Sequence, residues 1–222
     1  MQSAHSAGFW RIPKAGKMST LWVYAARAEG GVFGVAETPL RLELGVGKAL
    51  AAYTLTEALV RRKVALVVAI GVCGAHRGTG LEIGSLCVVA RESFIDEGVL
   101  HPGGFLGLAA LGLGDTTPLV ADAARVRSAA DALGAPIVEG GTVSTCSGTD
   151  ALAHERASRC PATIETMEGA AIALVCAKLG VPWVGLRAVS NFTGDRDRAQ
   201  WDLSAATAEL AKAYDRLRAA GW

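Results

Sequence analysis

What this sequence most lacks is net charge. Its 22 Lys and Arg stand against 21 Asp and Glu, a formal balance of +1. DNA, RNA and anionic membranes are held through an excess of positive charge, so this balance gives no electrostatic case for any of them as main partner. Local arginines remain available for a single anionic group. Paired cysteines are missing as well. Cys73, Cys87, Cys146, Cys160 and Cys176 are odd in number, and no two have C-x-x-C spacing. That points away from disulfides and zinc, and toward reduced thiols in a cytoplasmic protein. His5, His76, His101 and His154 are scattered, none at ligand spacing from another, so no metal site is expected. The longest apolar run, "VALVVAIGVCGA" from Val64 to Ala75, is interrupted by glycine and too short to span a bilayer. The opening "MQSAHSAGFWRIPKAGK" lacks the apolar segment of a secretory signal, and residues 1–17 read as a disordered extension or a start-site artefact. There is no G-x-S-x-G elbow for a serine hydrolase. "GVGKAL" (Gly45–Leu50) lacks both the earlier glycine and the Ser or Thr after Lys48 that a phosphate loop needs. What remains is a glycine turn able to bring backbone close to another group.

What is present is an alternation of short apolar runs and helical patterns. Half of the 222 residues are hydrophobic (51%), enough for one sizeable core. "LWVYAA" (Leu21–Ala26), "LRLELG" (Leu40–Gly45), "VALVVAIG" (Val64–Gly71), "SLCVVARE" (Ser85–Glu92) and "VPWVGLRAVS" read as strands. "PIVEGGTVSTCSG" reads as a strand with a glycine bulge. In "GKALAAYTLTEALVRRK", Leu50, Thr54, Leu55, Ala58 and Leu59 share one helical face, and Arg61, Arg62 and Lys63 suit its last turn. "TTPLVADAARVRSAADALG" reads as a helix capped by Thr117 and stopped at Gly134. "MEGAAIALVCAKLG" is an apolar helix ending at Gly180, and Asp202 to Ala220 is a final helix. No repeat or linker divides the chain. The expectation is an α/β fold: a single domain, residues 18–222, with a central mixed β-sheet flanked by helices.

In such folds ligands sit at the carboxyl ends of strands. "RAVSNFTGDRDRAQW" (Arg187–Trp201) is such an end: an apolar strand turns polar at Ser190 and Asn191. Buried polar groups need partners, from the protein or from a ligand. Glu168 opens an apolar helix between Met167 and Gly169. A first-turn acid favoured by the helix dipole is the plain reading, but a carboxylate among apolar and small residues is also placed for chemistry. "FIDEG" (Phe94–Gly98) reads as a surface pair of acids.

"MEGAAIALVCAKLGVPWVGLRAVSN" resembles the signature of the nucleoside phosphorylase superfamily, in particular its nucleosidase branch. "LGVGKALAA" and "VVAIGVCGAHRGTGLEIGSLCVVA" are similar to two further segments of that family in the same order, so the resemblance runs from about Leu21 to Ala220. It implies a purine nucleoside as substrate, hydrolysis of its N-ribosidic bond, no cofactor, no metal and a homo-oligomer. By residue, it implies that Glu168 contacts a ribose hydroxyl and steadies an oxocarbenium-like sugar, with Met167 against that sugar. Arg187 lies near the attacking water, and Glu29, in "AARAEGG", activates it. Val72 and Gly74 line the glycine-rich turn; Val72 stands where adenine-specific members often carry serine.

The residue matching Asn191 is usually aspartate in the methylthioadenosine branch. An amide offers both a donor and an acceptor. Its NH2 can donate to O6 of a 6-oxopurine while its carbonyl accepts from N7–H. "SNFTGDRDRAQW" is similar to the corresponding loop of the futalosine-hydrolysing members, which implies futalosine as substrate, hypoxanthine as product and a place in menaquinone biosynthesis. Ser190 belongs to this substrate loop. Arg196 or Arg198 is placed to meet the carboxylate on the side arm of that nucleoside, or else pairs locally with Asp195 and Asp197. A phosphorylase, an amino-purine nucleosidase and a non-catalytic nucleoside binder remain as alternatives.

Overall fold

The computed structural model describes residues 19–34, 40–114 and 117–222, apart from the side chain of Arg198. The expectations for residues 1–17 and for Met18 lie outside the described residues. In chain order the elements are β1 (Ser19–Tyr24), a 3-10 turn (Glu29–Phe33), β2 (Leu40–Glu43), α1 (Lys48–Arg61), β3 (Val64–Ala75), β4 (Leu86–Phe94), β5 (Gly98–His101) and β6 (Gly104–Gly107). They continue with β7 (Leu119–Val120), α2 (Ala123–Leu133), β8 (Ile137–Thr142), α3 (Asp150–Arg159), β9 (Ile164–Thr166), α4 (Gly169–Leu179), β10 (Trp183–Phe192), a 3-10 turn (Arg198–Gln200) and α5 (Leu203–Ala219).

The sheet is mixed, as the sequence predicts. Its path runs β10-β4-β8-β9-β3-β1-β2, and β10 also pairs with β3, so five strands close on themselves. Strand β3 runs parallel to β1 along its first half and parallel to β10 along most of its length; β9 pairs antiparallel with its end. Strands β5 and β6 form a separate hairpin. Helices cover the sheet: α1 lies against α4, and α5 lies along β10 and the first 3-10 turn. Trp22 is fully buried, with Phe33 and Tyr214 edge-on to it at 6.4 and 4.9 Å between centroids. No helix among the described residues is long and apolar enough to cross a membrane.

Four local expectations are corrected. Strand β3 does not stop at Gly71 but runs to Ala75, because β10 on one side and β9 on the other supply ladder partners that outweigh the low strand preference of glycine. Leu50 is half exposed; α1 buries Ala51, Leu55 and Leu59, the row that meets α4. Helix α2 starts later than expected. Leu119 and Val120 pair with β4, and Asp122, in place of Thr117, caps the helix by accepting from the Arg125 N–H at 2.9 Å. The register shift lies in β4, between Val89 and Arg91, not at the glycines of β8.

Candidate active site

Strands β3 and β10 run parallel, with Arg187 opposite Gly71 and Asn191 opposite Gly74. Their carboxyl ends therefore deliver polar side chains to one end of the sheet. Gly71 is where the backbone must stay bare. A Cβ there would lie 2.6 Å from Arg187 Nη1 and 2.7 Å from Glu29 Oε1. Both side chains are buried, Arg187 at 5% and Glu29 at 8% exposure. They converge on one point, yet no ion pair within 4.0 Å joins them. Arg187 Nε is buried without a hydrogen-bond partner. A single oxygen bonded to both groups fits this spacing.

Glu29 is held hard. Its Oε2 accepts from the N–H groups of Ala25 (3.0 Å) and Ala26 (2.9 Å), and its Oε1 from that of Val72 (2.9 Å). The first two donors come from the turn after β1, the third from β3. Val72 thus contributes its backbone, while its side chain packs on the core.

Glu168 sits at the N-terminus of α4 but makes no side-chain cap there. It turns away from its own helix, and its Oε1 accepts from the Gly47 N–H at 2.7 Å, 121 residues away in the chain. Gly47 has φ 95°, which favours glycine. This is what the "GVGK" turn is for: it presents an N–H to a carboxylate of the protein itself. Burial pushes the Glu168 carboxyl upward; the Gly47 N–H and Arg187 pull it back, and Glu29 adds to the rise. Met167, just before it, is half-buried.

Asn191 lines a small pocket with Gly74, Cys146, Ser147, Glu165, Arg196 and Trp201. Ser190 Oγ lies 2.8 Å from Asn191 Oδ1 and 3.2 Å from the Cys73 carbonyl, to either of which it can donate. Asn191 Nδ2 donates to the Phe192 carbonyl at 2.9 Å. The fully buried Ser190 is therefore an orienting group for the amide. Each end of the amide keeps one further hydrogen-bonding function. Arg196 is not paired with Asp195 or Asp197. Its guanidinium lies over the Trp201 ring at 4.8 Å, on the Asn191 side of the site. Asp195 instead accepts from the Asp150 N–H, and Asp197 from Ala199 N–H and Gln200 Nε2.

Several supporting residues escape a reading by motif. Lys48 Nζ bonds Asp96 (2.6 Å) and Glu97 (3.1 Å), and Asp96 also accepts from the Ser144 N–H. The acids of "FIDEG" are therefore not a free surface pair; they pin the start of α1, next to Gly47. Glu165 accepts from the Ser147 N–H and hydroxyl and from Arg156, an ion pair buried at both ends. That network sets the loop walling the Asn191 pocket. His76 is a buried core histidine hydrogen-bonded to Thr193 at 2.9 Å. Among the described residues no three His, Cys, Asp or Glu side chains converge as metal ligands.

The sequence profile of the phosphorylase superfamily matches residues 20–220. A futalosine hydrolase from Thermus thermophilus is 37% identical over 183 residues, covering 80% of this chain and 80% of that protein. One from Streptomyces coelicolor is 40% identical over 182 residues, 79% of this chain and 77% of that protein. Among solved structures, a futalosine hydrolase mutant of Helicobacter pylori superposes with a TM-score of 0.78 at 21% identity, over 92% of this chain and 100% of that one. A methylthioadenosine/S-adenosylhomocysteine nucleosidase of Colwellia psychrerythraea, in complex with adenine, does so with 0.78 at 19%, over 91% and 95%. At such identities the structures speak for the fold. The sequence matches go further: the chain belongs to the phosphorylase superfamily, and within it to the family of these futalosine hydrolases.

Proposed function

We propose that this protein hydrolyses the N-glycosidic bond of futalosine, releasing hypoxanthine and leaving dehypoxanthine futalosine, a step of menaquinone biosynthesis. The observation that carries hydrolysis is the convergence of Glu29 and Arg187 over Gly71 without pairing. One water bonded to both would donate a proton to Glu29 and accept from Arg187. As the bond from the anomeric carbon to N9 lengthens, the sugar gains positive charge, and Glu168 faces that charge from a site shielded from water. The water oxygen then adds to the anomeric carbon. The proton passed to Glu29 balances the one that the departing purine acquires.

The substrate assignment rests on Asn191 and on the matched relatives. With one donor and one acceptor left over, the amide can give to O6 of hypoxanthine and take from N7–H. An amino purine would set its C6 amino group against the Asn191 NH2, an uncompensated donor worth about 1–3 kcal/mol. Base release measured by chromatography on futalosine, aminofutalosine, inosine and methylthioadenosine tests this. Hypoxanthine from futalosine is expected to dominate. Asn191→Asp is expected to lower kcat/KM for futalosine by about 10- to 100-fold and to narrow the gap to the amino compounds. Unchanged futalosine kinetics in that variant would remove the donor–acceptor argument.

The same reading includes a homo-oligomer. Leu50, Tyr53 and Val60 form an exposed apolar row on α1, next to Val46 and beside the Gly47 turn that holds Glu168. A second copy of this chain is the proposed cover for that row. Light scattering is expected to give a dimer or larger assembly, and Tyr53→Arg to shift it toward monomer. A monomeric wild-type protein contradicts this.

A further inference from the structure

Glu92 has no part in the chemistry above, yet it is the most deeply buried carboxylate at the site, at 1% exposure. It points from β4 beneath the first turn of α4. Two glycines make room for it. A Cβ on Gly169 would collide with its Oε1, and a Cβ on Gly140 would lie 2.6 Å from that same oxygen. One carboxylate thus accounts for the glycine of "MEGA" and the first glycine of "VEGG". Its Oε2 accepts from the Thr142 hydroxyl at 2.9 Å. Thr142 Oγ1 accepts in turn from the Ala170 N–H at 2.7 Å and lies 3.0 Å from Thr166 Oγ1, which accepts from the Gly169 N–H at 3.3 Å.

Proton counting orders this chain. When Glu92 is ionised it can only accept, so Thr142 donates to it and Thr166 donates either to Thr142 or to Glu92 itself. Both hydroxyl oxygens are then turned to accept the Ala170 and Gly169 N–H groups, the first donors of α4 after Glu168. When Glu92 carries a proton, that order can reverse: both oxygens can still accept the N–H groups, but no charge fixes which way the hydroxyls point. The charged or titratable groups around Glu92 are Arg187 from β10, Glu168 at the head of α4, Cys73 from β3 and Cys160 after α3. None forms an ion pair with it within 4.0 Å. An unpaired carboxylate in such a place is costly, and an apolar side chain would fill the space more cheaply.

We propose that Glu92 is a positioning residue of the hydrolysis: it fixes Glu168 through Thr142, Thr166 and the first turn of α4, and it adds its charge to the field around Arg187. Burial pushes its carboxyl up to about 7, against the pull of Arg187 and of the Thr142 and Thr166 hydroxyls. Ionised Glu92 is the productive form, since it orders the turn and adds negative potential where the sugar becomes cationic. The rate arm of the test rests on the proposed reaction; the titration arm does not.

Carbon-13 NMR of carboxyl-labelled glutamates, without substrate, is expected to show one buried carboxyl titrating about pH 7 in the wild type and missing in Glu92→Gln. On futalosine, wild-type kcat/KM is expected to rise about tenfold across that transition, and the Gln variant to lack the rise. A purely structural role would lower the variant's rate at every pH alike. Glu92→Asp, which keeps the charge but draws it away from Thr142, is expected to keep a titrating carboxyl with a reduced kcat and an unchanged KM; it also serves should the Gln variant not fold. The transition about pH 7 retained in Glu92→Gln, or a rate profile in either variant identical to wild type, overturns the proposal. Wild-type protein that shows the NMR transition but releases no base from futalosine rejects the substrate and leaves the carboxyl as found.

Discussion

Glu29→Gln is expected to lower kcat for base release by about 10²–10⁴-fold with little change in KM. The size follows from the role. Glu29 and Arg187 converge beside Gly71, and in the proposed reaction Glu29 takes the proton of a water held between them. An amide of the same shape cannot take it. The substitution has a second effect that must be separated from the first. Both carboxylate oxygens already accept backbone N–H groups, from Ala25, Ala26 and Val72. In the Gln variant one of those positions becomes an NH2 facing a donor, which costs about 1–3 kcal/mol of stability. Melting temperature is therefore expected to fall by several degrees. The activity loss must be read on protein shown to be folded, by circular dichroism at the assay temperature. A folded variant with kcat within threefold of wild type would sink the assignment of Glu29 as base.

Glu168→Gln is expected to cost about 10²–10³-fold in kcat, the scale seen when one preorganised electrostatic partner of a transition state is removed. Here the fold should not suffer. The Gly47 N–H needs one acceptor, and the amide oxygen supplies it. The sign of the stability effect can be worked out. Burial raises the Glu168 carboxyl above its ordinary value, so the folded state prefers the protonated acid. Stability from this group is full below the unfolded value and is lost as pH rises through the raised folded one. Above that window wild type carries the cost of the buried charge, and the neutral amide does not. At pH 8 the variant should melt no lower than wild type while its turnover collapses. A variant that keeps its rate, or one that loses stability at pH 8 in step with its rate, argues that Glu168 is a structural anchor and not a catalytic group.

Legibility in the sequence followed how local each signal is. "MEGAAIALVCAKLG" and "VPWVGLRAVS" could be read because unbroken apolar runs are bounded by Gly180, which adopts the left-handed stop expected of it. Glu168 and Asn191 stood out as polar residues where those runs end. Helix α3 gave no such signal: it buries only Ala153 and Arg156, so no apolar stripe marks it. Strand β9 is three residues long. Glu92 was hidden for another reason. "VVARESF" ends in three consecutive polar residues, Arg91, Glu92 and Ser93, before its Phe94, so no alternation marks which of them is buried. Helix α4 packs over β4 and β8, so Glu92, the one of the three that faces it, lies beneath its first turn. The links from Gly47 to Glu168 and from Lys48 to Asp96 span 121 and 48 residues, and only the tertiary structure reveals them.

The most direct test of water as the nucleophile is turnover of futalosine in phosphate-free buffer enriched in oxygen-18 water, with both products read by mass spectrometry. Hypoxanthine without label is expected in equal amount to a base-free sugar product carrying one oxygen-18 at the anomeric carbon. Base release that appears only when phosphate is added, with a sugar 1-phosphate as product, would contradict the proposed attack by a water held between Glu29 and Arg187.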